Sequence, residues 1–333
     1  MATDSQHRLP EFLIIGAMKA GTTTLSSIVG SLSGVFMPSV KEPHFLCNDS
    51  VLTPAGVAKY SLLFRRAPIG HICGEASTGY SKLPDIKGVP RRARELCGRD
   101  LRLIYVVRHP VERAISHHYH LVRSGEAPVD VNLAIREIPA LINYSRYWMQ
   151  LQPWIEHFGR DNILVTVFED YLAEPTHELN RIATFLGVSP TVDRVDHQEA
   201  LNAGESALTP RPALKRLVNS VTRSPWYKIW VHPWLPRSMS RVAKNLLMTA
   251  PPPRPEPPDT EAMTYLIDQL KPDSEQLQQW LQNTEPIWNL NGLQGVSSSH
   301  DPDAAEVRNA LPANDACSSR SECGERTAKC NGS

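Results

Sequence analysis

The sequence FLIIGAMKAGTTTL occupies residues 12–25. Its first four residues are apolar and rich in strand-forming types, and so short an apolar run is typical of a buried strand. Gly16 and Gly21 then bound a tight loop, and three threonines follow where a helix is expected to begin. The first turn of a helix has unpaired N–H groups and the positive end of the helix dipole. The sequence therefore predicts an anion site, with phosphate as the expected ligand.

The position of the lysine distinguishes this loop from a Walker A loop. In the Walker A pattern, G-x-x-x-x-G-K-[ST], the lysine follows the second glycine. Here the two glycines have that spacing, but the lysine is Lys19, inside the loop, and Thr22 follows Gly21. The alternative interpretation is a strand-to-helix turn that uses glycine only for its geometry. The presence of a cation inside the loop favours a phosphate site.

Composition limits the class of protein. The chain has 333 residues, 41% of them hydrophobic, and a formal net charge of zero. This size allows one large domain with additions. A balanced charge argues against a general binder of nucleic acid, which usually has a basic excess. No apolar run approaches the roughly 20 residues of a membrane span.

We expect residues 1–10 to be an N-terminal extension, residues 11–292 to form one domain and residues 293–333 to be a disordered polar tail. Residues 1–10 contain no apolar signal-peptide core. The six cysteines have no zinc-type spacing. These features together predict a reduced, cytoplasmic protein without a membrane span.

Strands and helices are predicted to alternate along the first 190 residues. Apolar, strand-like runs occur at residues 12–15, 35–37, 72–76, 101–107 and 162–168. This order predicts a doubly wound α/β fold, with a central parallel sheet between layers of helices. Ligands of such sheets bind beyond the carboxyl ends of the strands. The Gly16 loop, Arg108 and Glu169 all follow predicted strands, so we expect them to share one crevice. Near the carboxyl end, a capping-box pattern at residues 273–276 predicts the start of a last helix.

Arg108 and Ser116 form a second candidate phosphate site. Arg108 ends the most apolar predicted strand, and Ser116 lies about two turns into the next helix. An arginine fork and a hydroxyl can both donate to one phosphate. An isolated arginine after a strand is more often a surface or capping residue, but the Lys19 loop in the same chain favours binding. Two phosphate sites imply a nucleotide that is phosphorylated at two positions.

The chain resembles the sulfotransferases that use 3′-phosphoadenosine 5′-phosphosulfate (PAPS). KAGTTTL at residues 19–25 is similar to their 5′-phosphosulfate loop, and RHPVERAISHHY at residues 108–119 is similar to their 3′-phosphate motif. KEPHF at residues 41–45 resembles the glycan-type branch, which includes heparan sulfate sulfotransferases and their bacterial relatives. GEASTGY at residues 74–80 resembles that branch's G-E-x-S/T-P-x-Y segment. The resemblance extends over about residues 11–290 and implies a P-loop-like three-layer fold.

The resemblance implies that PAPS is the sulfuryl donor and 3′-phosphoadenosine 5′-phosphate the product, without a metal. It implies that Arg108 and Ser116 bind the 3′-phosphate, and Arg211 corresponds loosely to a late basic residue that closes over the nucleotide. The loop residues that would hold the 5′-phosphosulfate are Lys19, Ala20, Gly21, Thr22, Thr23 and Thr24. The expected acceptor is a hydroxyl of a small molecule or a glycan, with neither nucleic acid nor a membrane as a partner.

Lys19, Glu42 and His44 are the predicted catalytic residues. Sulfuryl transfer between oxygens requires positioned reactants and a cation near the leaving phosphate, and Lys19 is suited to that role. The resemblance makes Glu42 the base that takes the acceptor's proton. His44 is the rival base, because a histidine has that role in the cytosolic small-molecule branch. The alternative for Glu42 is a solvated charge paired with Lys41.

Four alternatives remain open at this stage. The acceptor can be an amine, which would give an N-sulfate. A P-loop kinase of a small metabolite would need a lysine directly after Gly21, where Thr22 stands. A nucleotide-binding protein without catalysis would not need Lys19 or Glu42. The histidines at positions 117, 118 and 120 allow a metal site, but they lack a carboxylate motif, and we predict no metal.

Overall fold

A computed structural model of the chain describes residues 7–191, 209–210, 248–249 and 252–290. The predicted tail and Arg211 lie outside the described residues, so the division into extension, domain and tail stays a prediction. All described residues from 7 to 191 belong to one α/β arrangement, and the final described segment, residues 252–290, packs on it through a long helix.

β1 (Phe12–Gly16) lies at the centre of a five-stranded sheet. Its neighbours are β3 (Ile72–Ala76) and β4 (Arg102–Val107), and the outer strands are β2 (Val35–Phe36) and β5 (Ile163–Val167). Every pairing in this sheet is parallel. Residues 12–15 are completely buried, as a central strand covered on both faces must be.

Helices flank the sheet, which confirms the predicted fold class. In chain order they are α1 (Thr22–Val29), α2 (Pro54–Ser61), α3 (Val89–Cys97), α4 (Pro110–Ser124), α5 (Val131–Glu137), α6 (Pro139–Asn143), α7 (Tyr147–Phe158), α8 (Phe168–Ala173), α9 (Pro175–Leu186) and α10 (Thr260–Leu281). Three short 3₁₀ helices cover Phe45–Cys47, Asp49–Leu52 and Thr78–Ser81, and β6 (Thr209–Pro210) pairs antiparallel with β7 (Met248–Thr249).

Two hydrophobic clusters hold these elements together. The larger one surrounds the sheet. The smaller one joins α4, α5 and α6 to α10, and its buried members include Leu141, Ile142, Met263 and Leu266. α10 is therefore part of the folded body and stabilises the helices that follow β4. No helix among the described residues has both the length and the apolar character that a bilayer span requires.

One predicted strand ends in a different element in the structure. The strand predicted to include Phe168 ends at Val167, and Phe168 begins α8. An apolar run does not show where a buried strand gives way to a helix, since both bury the same residue types.

The predicted start of the last helix is wrong. α10 begins at Thr260, where the Asp259 carboxylate accepts a hydrogen bond from the amide of Ala262, and it continues through Pro272. Asp273, which we expected to cap this helix, lies inside it. Its two carboxylate oxygens instead accept hydrogen bonds of 2.9 Å each from the amides of Trp148 and Met149, in the first turn of α7.

Asp273 is buried at this helix-to-helix contact, and burial raises the pKa of its carboxyl from 3.8 to about 6, against the opposing effect of the two amide bonds. The residue before α7, Arg146, offers no side-chain cap. Asp273 therefore satisfies amides that a helix start leaves unpaired.

We predict that Asp273→Ala lowers the free energy of unfolding by about 1–3 kcal/mol, because it leaves two partly buried amides without acceptors. Urea unfolding at neutral pH measures the change. Asp268→Ala, on an exposed position of the same helix, is the control and should stay within about 0.5 kcal/mol of wild type. Equal stability of the two variants would contradict the capping role.

Candidate active site

The loop after β1 leads directly into α1. β1 ends at Gly16, and Gly21 precedes α1 with a left-handed backbone, φ 80°. Gly21, at the N-cap position, supplies no side-chain cap, and Thr22 and Thr23 line a cavity, so this end of the helix is open to an anion. Lys19 lies inside the loop, also with a positive φ of 70°, which is uncommon for a residue with a side chain. The predicted anion loop is thus present in the expected place.

The parallel pairing of β1 and β4 places Arg108 next to this loop. The amide of Ala17 donates a 2.7 Å hydrogen bond to the carbonyl of Val106, two residues before Arg108. The Tyr147 hydroxyl fixes the backbone of Arg108 on both sides. It accepts from the Arg108 amide at 3.3 Å and donates to the Arg108 carbonyl at 2.8 Å. The loop and the arginine therefore follow hydrogen-bonded neighbouring strands.

Phe168 connects the two predicted phosphate sites. A Cβ atom at position 21 would come within 2.4 Å of the Phe168 ring, so the ring packs directly on Gly21. The Arg108 guanidinium lies over the same ring, 5.3 Å from its centroid. One aromatic ring thus separates the backbone of the loop from the guanidinium, and a glycine at position 21 is required for that packing.

Arg108 lies two residues before α4, and Glu112 and Ser116 follow it at intervals of four residues, a spacing that places the last two on one side of the helix. The Arg108 guanidinium lies 3.6 Å from the Glu112 carboxylate, and Ser116 is partly exposed one turn further on. Arg113 belongs to the same motif, but it is completely buried and donates to Ser145 and to the carbonyl of Leu141. The motif therefore divides into an accessible pair, Arg108 and Ser116, and a buried anchor.

Glu169 ties the end of β5 to the end of β4. Its carboxylate accepts a 2.8 Å hydrogen bond from the amide of His109 and a 3.4 Å bond from the indole N–H of Trp288. Burial and the neighbouring charge of Arg108 lower the pKa of His109 to about 4, so its ring is neutral at pH 7. Gly16, Arg108 and Glu169 thus lie at the carboxyl ends of neighbouring strands, and a ligand crevice shared by all three stays a prediction.

The segment at residues 41–45 carries the predicted base. Glu42 Oε2 lies 3.1 Å from Nε2 of His44 and accepts a 3.1 Å hydrogen bond from the Thr78 hydroxyl. Burial raises the pKa of the Glu42 carboxyl, but hydrogen bonds from His44 and Thr78 and the charges of His44 and Lys82 outweigh burial. The resulting pKa is below the ordinary value of 4.5, so Glu42 is ionised at neutral pH.

Glu42 and the anion loop face one cavity of about 270 Å³. α1 contributes Thr22, Thr23 and Ser26, and the base segment contributes Lys41 and Glu42. The rest of the lining consists of Met37, Pro38, Val40, Ala76 and Thr78. A group bound at the start of α1 and a second group beside Glu42 would therefore meet inside this cavity.

Lys19 and the histidines of α4 lie within electrostatic range of each other. Burial lowers the pKa of His117, and the positive charges of Arg113, Lys82 and Lys19 lower it further. His117 stacks on Tyr144, and the His118 ring lies 2.8 Å from the carbonyl of Pro128. In residues 7–191 and 252–290, no group of three or more potential ligand side chains is arranged to hold a metal.

A family model described as a sulfotransferase domain matches residues 9–203. The chain belongs to this family. The predicted membership of the sulfotransferase family, and the prediction that the chain is an enzyme of that family, are therefore confirmed.

Several proteins similar to this sulfotransferase domain have names that specify heparan sulfate as the substrate. The chain is 30% identical over 194 residues to mouse heparan sulfate glucosamine 3-O-sulfotransferase 3A1, which covers 56% of the chain and 47% of the relative. It is 26% identical over 205 residues to a bovine bifunctional heparan sulfate N-deacetylase/N-sulfotransferase 2, covering 55% of the chain and 22% of the relative. The chain thus spans about half the length of the 3-O-sulfotransferases that it matches.

Among solved structures, a sulfotransferase from Alicyclobacillus acidocaldarius superposes with a TM-score of 0.57 at 18% identity, over 84% of this chain and 98% of the other. At that identity the likeness establishes the fold.

The structure brings most of the predicted site residues to one edge of the sheet. The loop from Lys19 to Thr24 and Arg108 follow paired strands, and Glu42 shares a cavity with the loop. Arg211 lies outside the described residues. Sequence reasoning missed the roles of Phe168 and Thr78. Phe168 is the last residue of a predicted strand, close to the sheet edge where Arg108 was expected, and that position was its available signal.

We predict that Gly21→Ala destabilises the fold more than Gly70→Ala. Both positions have φ near +80°, which costs an alanine about 1–2 kcal/mol, but only position 21 adds a clash with Phe168. Overpacking of this kind typically costs a further 1–3 kcal/mol or so. Urea unfolding measures both variants. An equal loss of stability in the two would show that Phe168 does not pack on the loop.

Proposed function

We propose that this sulfotransferase domain transfers the sulfuryl group of PAPS to a hydroxyl of a small molecule or glycoconjugate. The observation that carries the proposal is the shared cavity, in which the open start of α1 and the ionised Glu42 face each other. The family match and the relatives named as 3-O-sulfotransferases support the same reaction. The apolar residues of the cavity wall and its modest volume favour a compact acceptor group at the reacting position.

The residues present fit a nucleotide with phosphates at both ends of its ribose. The amides of residues 20–24 and the Lys19 ammonium would hold the 5′-phosphosulfate, since helix starts and lysines both favour anions. Arg108 and Ser116 would hold the 3′-phosphate, with the guanidinium oriented by Phe168. We propose Arg211 as a further contact to the nucleotide, on the family resemblance alone.

The bound donor supplies an activated sulfuryl group, and the chain supplies positioning and charge. Glu42 takes the proton of the acceptor hydroxyl as the acceptor oxygen bonds to sulfur. Both contacts of its carboxylate are made by Oε2, which leaves Oε1 for that proton. His44 orients the carboxylate through its Nε2 contact. Lys19 and the α1 amides stabilise the negative charge that develops on the departing 5′-phosphate oxygen.

Binding of the 3′-phosphate can be isolated by comparing two ligands. Arg108→Ala should weaken binding of 3′-phosphoadenosine 5′-phosphate about 10–100-fold, because it removes the free energy of a hydrogen bond to a charged group. It should leave binding of adenosine 5′-phosphate, which lacks the 3′-phosphate, nearly unchanged. Isothermal titration calorimetry measures both.

Arg91→Ala, an exposed arginine on α3, is the matched control for loss of one positive charge. An equal loss of affinity for both ligands would contradict the assignment of Arg108. Thermal stabilisation by ATP with Mg²⁺, and none by the bisphosphate, would overturn the nucleotide assignment and favour a kinase.

Catalysis by Glu42 can be tested with PAPS and a panel of alcohols, sugars and amines, with sulfated product detected by mass spectrometry. Glu42→Gln should lower kcat about 10²–10⁴-fold, the usual contribution of a general base, without weakening binding of the bisphosphate. A product formed only from the amines would replace the O-sulfation proposal with N-sulfation. Full activity of Glu42→Gln would exclude Glu42 as the base.

The pH profile distinguishes the two candidate bases. The pKa of Glu42 is lowered, and a base works when deprotonated, so kcat/KM should fall only below the ordinary carboxyl value of 4.5. A mechanism that relied on a histidine base would lose activity already as pH falls through about 6.5. Recovery of activity on return to neutral pH controls for acid unfolding.

A further inference from the structure

Glu75 is a completely buried carboxylate on β3, and the proposed reaction does not use it. Three hydroxyl groups donate hydrogen bonds to it. The Tyr60 and Tyr80 hydroxyls donate to Oε1, and the Ser77 hydroxyl donates to Oε2 at 2.9 Å. Burial raises the pKa of Glu75, and these hydroxyl bonds oppose the rise. Because it is buried, Glu75 cannot contact an acceptor, so its role must be exerted through its neighbours.

The groups that bind Glu75 also hold three consecutive residues, the last two of the base segment and Leu46, which directly follows it. The Ser77 hydroxyl accepts a 3.2 Å hydrogen bond from the amide of His44. The Tyr60 ring stacks on Phe45, with 4.9 Å between ring centroids. The Tyr80 hydroxyl accepts a 3.4 Å hydrogen bond from the amide of Leu46.

The direction of these hydrogen bonds depends on a carboxylate at position 75. In these contacts the Glu75 carboxyl oxygens only accept, and each hydroxyl has a single proton to give. Since Ser77 and Tyr80 give their protons to Glu75, their lone pairs are left to face the two backbone amides. A donor at position 75 would turn a hydroxyl proton toward an amide proton and remove that backbone contact.

The base segment needs such support because its backbone is strained. Glu42 and His44 have φ values of 46° and 55°, a region that residues with side chains rarely adopt. Such conformations persist only where the surroundings enforce them. Close packing contributes as well, because a Cβ atom at position 79 would come within 2.7 Å of His44 Nδ1.

We propose that Glu75 is a positioning residue for the general base. Through Ser77 and Tyr80 it fixes residues 44 and 46, and thereby the segment that presents the Glu42 carboxylate to the cavity. The inference rests on the proposed role of Glu42, and it assigns to Glu75 a direct effect on turnover rather than on donor binding.

The decisive variant is Glu75→Gln, which keeps the volume of the side chain but introduces an amide donor. We expect kcat to fall about 10²-fold, the cost of a small misplacement of a catalytic group. KM for PAPS and the affinity for the bisphosphate should not change, because the α1 loop and Arg108 are held by other contacts. Wild-type kcat in Glu75→Gln would overturn the inference, since Glu75 would then only fill space.

Variants that delete a hydroxyl test the same set of hydrogen bonds, and they remain informative if Glu75→Gln fails to fold. Tyr80→Phe and Ser77→Ala each remove a contact to a backbone amide, and kcat should fall about tenfold in each. Tyr60→Phe also removes a bond to Glu75, but it keeps the ring stack on Phe45 and touches no amide, so its loss should be about twofold at most. Equal losses in Tyr80→Phe and Tyr60→Phe would overturn the inference.

Two controls separate this inference from the proposed function. Asp273→Asn alters another buried carboxylate remote from the base segment, and kcat per folded molecule should match wild type. If wild-type enzyme makes no sulfated product, or if Glu42→Gln keeps its kcat, the proposed function is wrong. If Glu42→Gln loses kcat while Glu75→Gln, Tyr80→Phe and Ser77→Ala do not, only the role of Glu75 is wrong.

Discussion

The parallel hydrogen bonding between β1 and β4 is the constraint on which the rest of the site depends. It joins the strand that ends in the anion loop to the strand that ends in Arg108, and it continues past the regular ladder through the bond from Ala17 to Val106. Parallel strands bring their carboxyl ends to the same edge of a sheet. The two groups proposed to bind the nucleotide's phosphates are far apart in sequence, and backbone hydrogen bonds hold their strands side by side.

Side chains refine this arrangement without changing it. Phe168 fills the space between Gly21 and the Arg108 guanidinium, and Tyr147 fixes the backbone of Arg108. On the other side of β1, the Glu75 cluster supports the segment that carries Glu42. The residues proposed to hold the nucleotide and the contacts proposed to support the base thus depend on different strands, which allows one set to be altered by mutation while the other is preserved.

The sequence predicted the features that depend on local backbone geometry. The glycines at positions 16 and 21 indicated the loop, and the apolar run before Arg108 indicated the strand end. Contacts between distant residues were not predictable, because no local pattern encodes them. Asp273 was assigned to the start of its own helix, yet it caps α7, 125 residues earlier in the chain. The support that Glu75 gives was not predictable either, since the sequence does not show that β3 buries it completely.

A crystal structure of the chain with 3′-phosphoadenosine 5′-phosphate bound is the most direct measurement of the central claim, that one nucleotide bridges two strand ends. The account predicts the 5′-phosphate on the amides of residues 20–24 and the 3′-phosphate on Arg108 and Ser116. A nucleotide whose 3′-phosphate lies away from Arg108, or whose 5′-phosphate lies outside the loop, would contradict it.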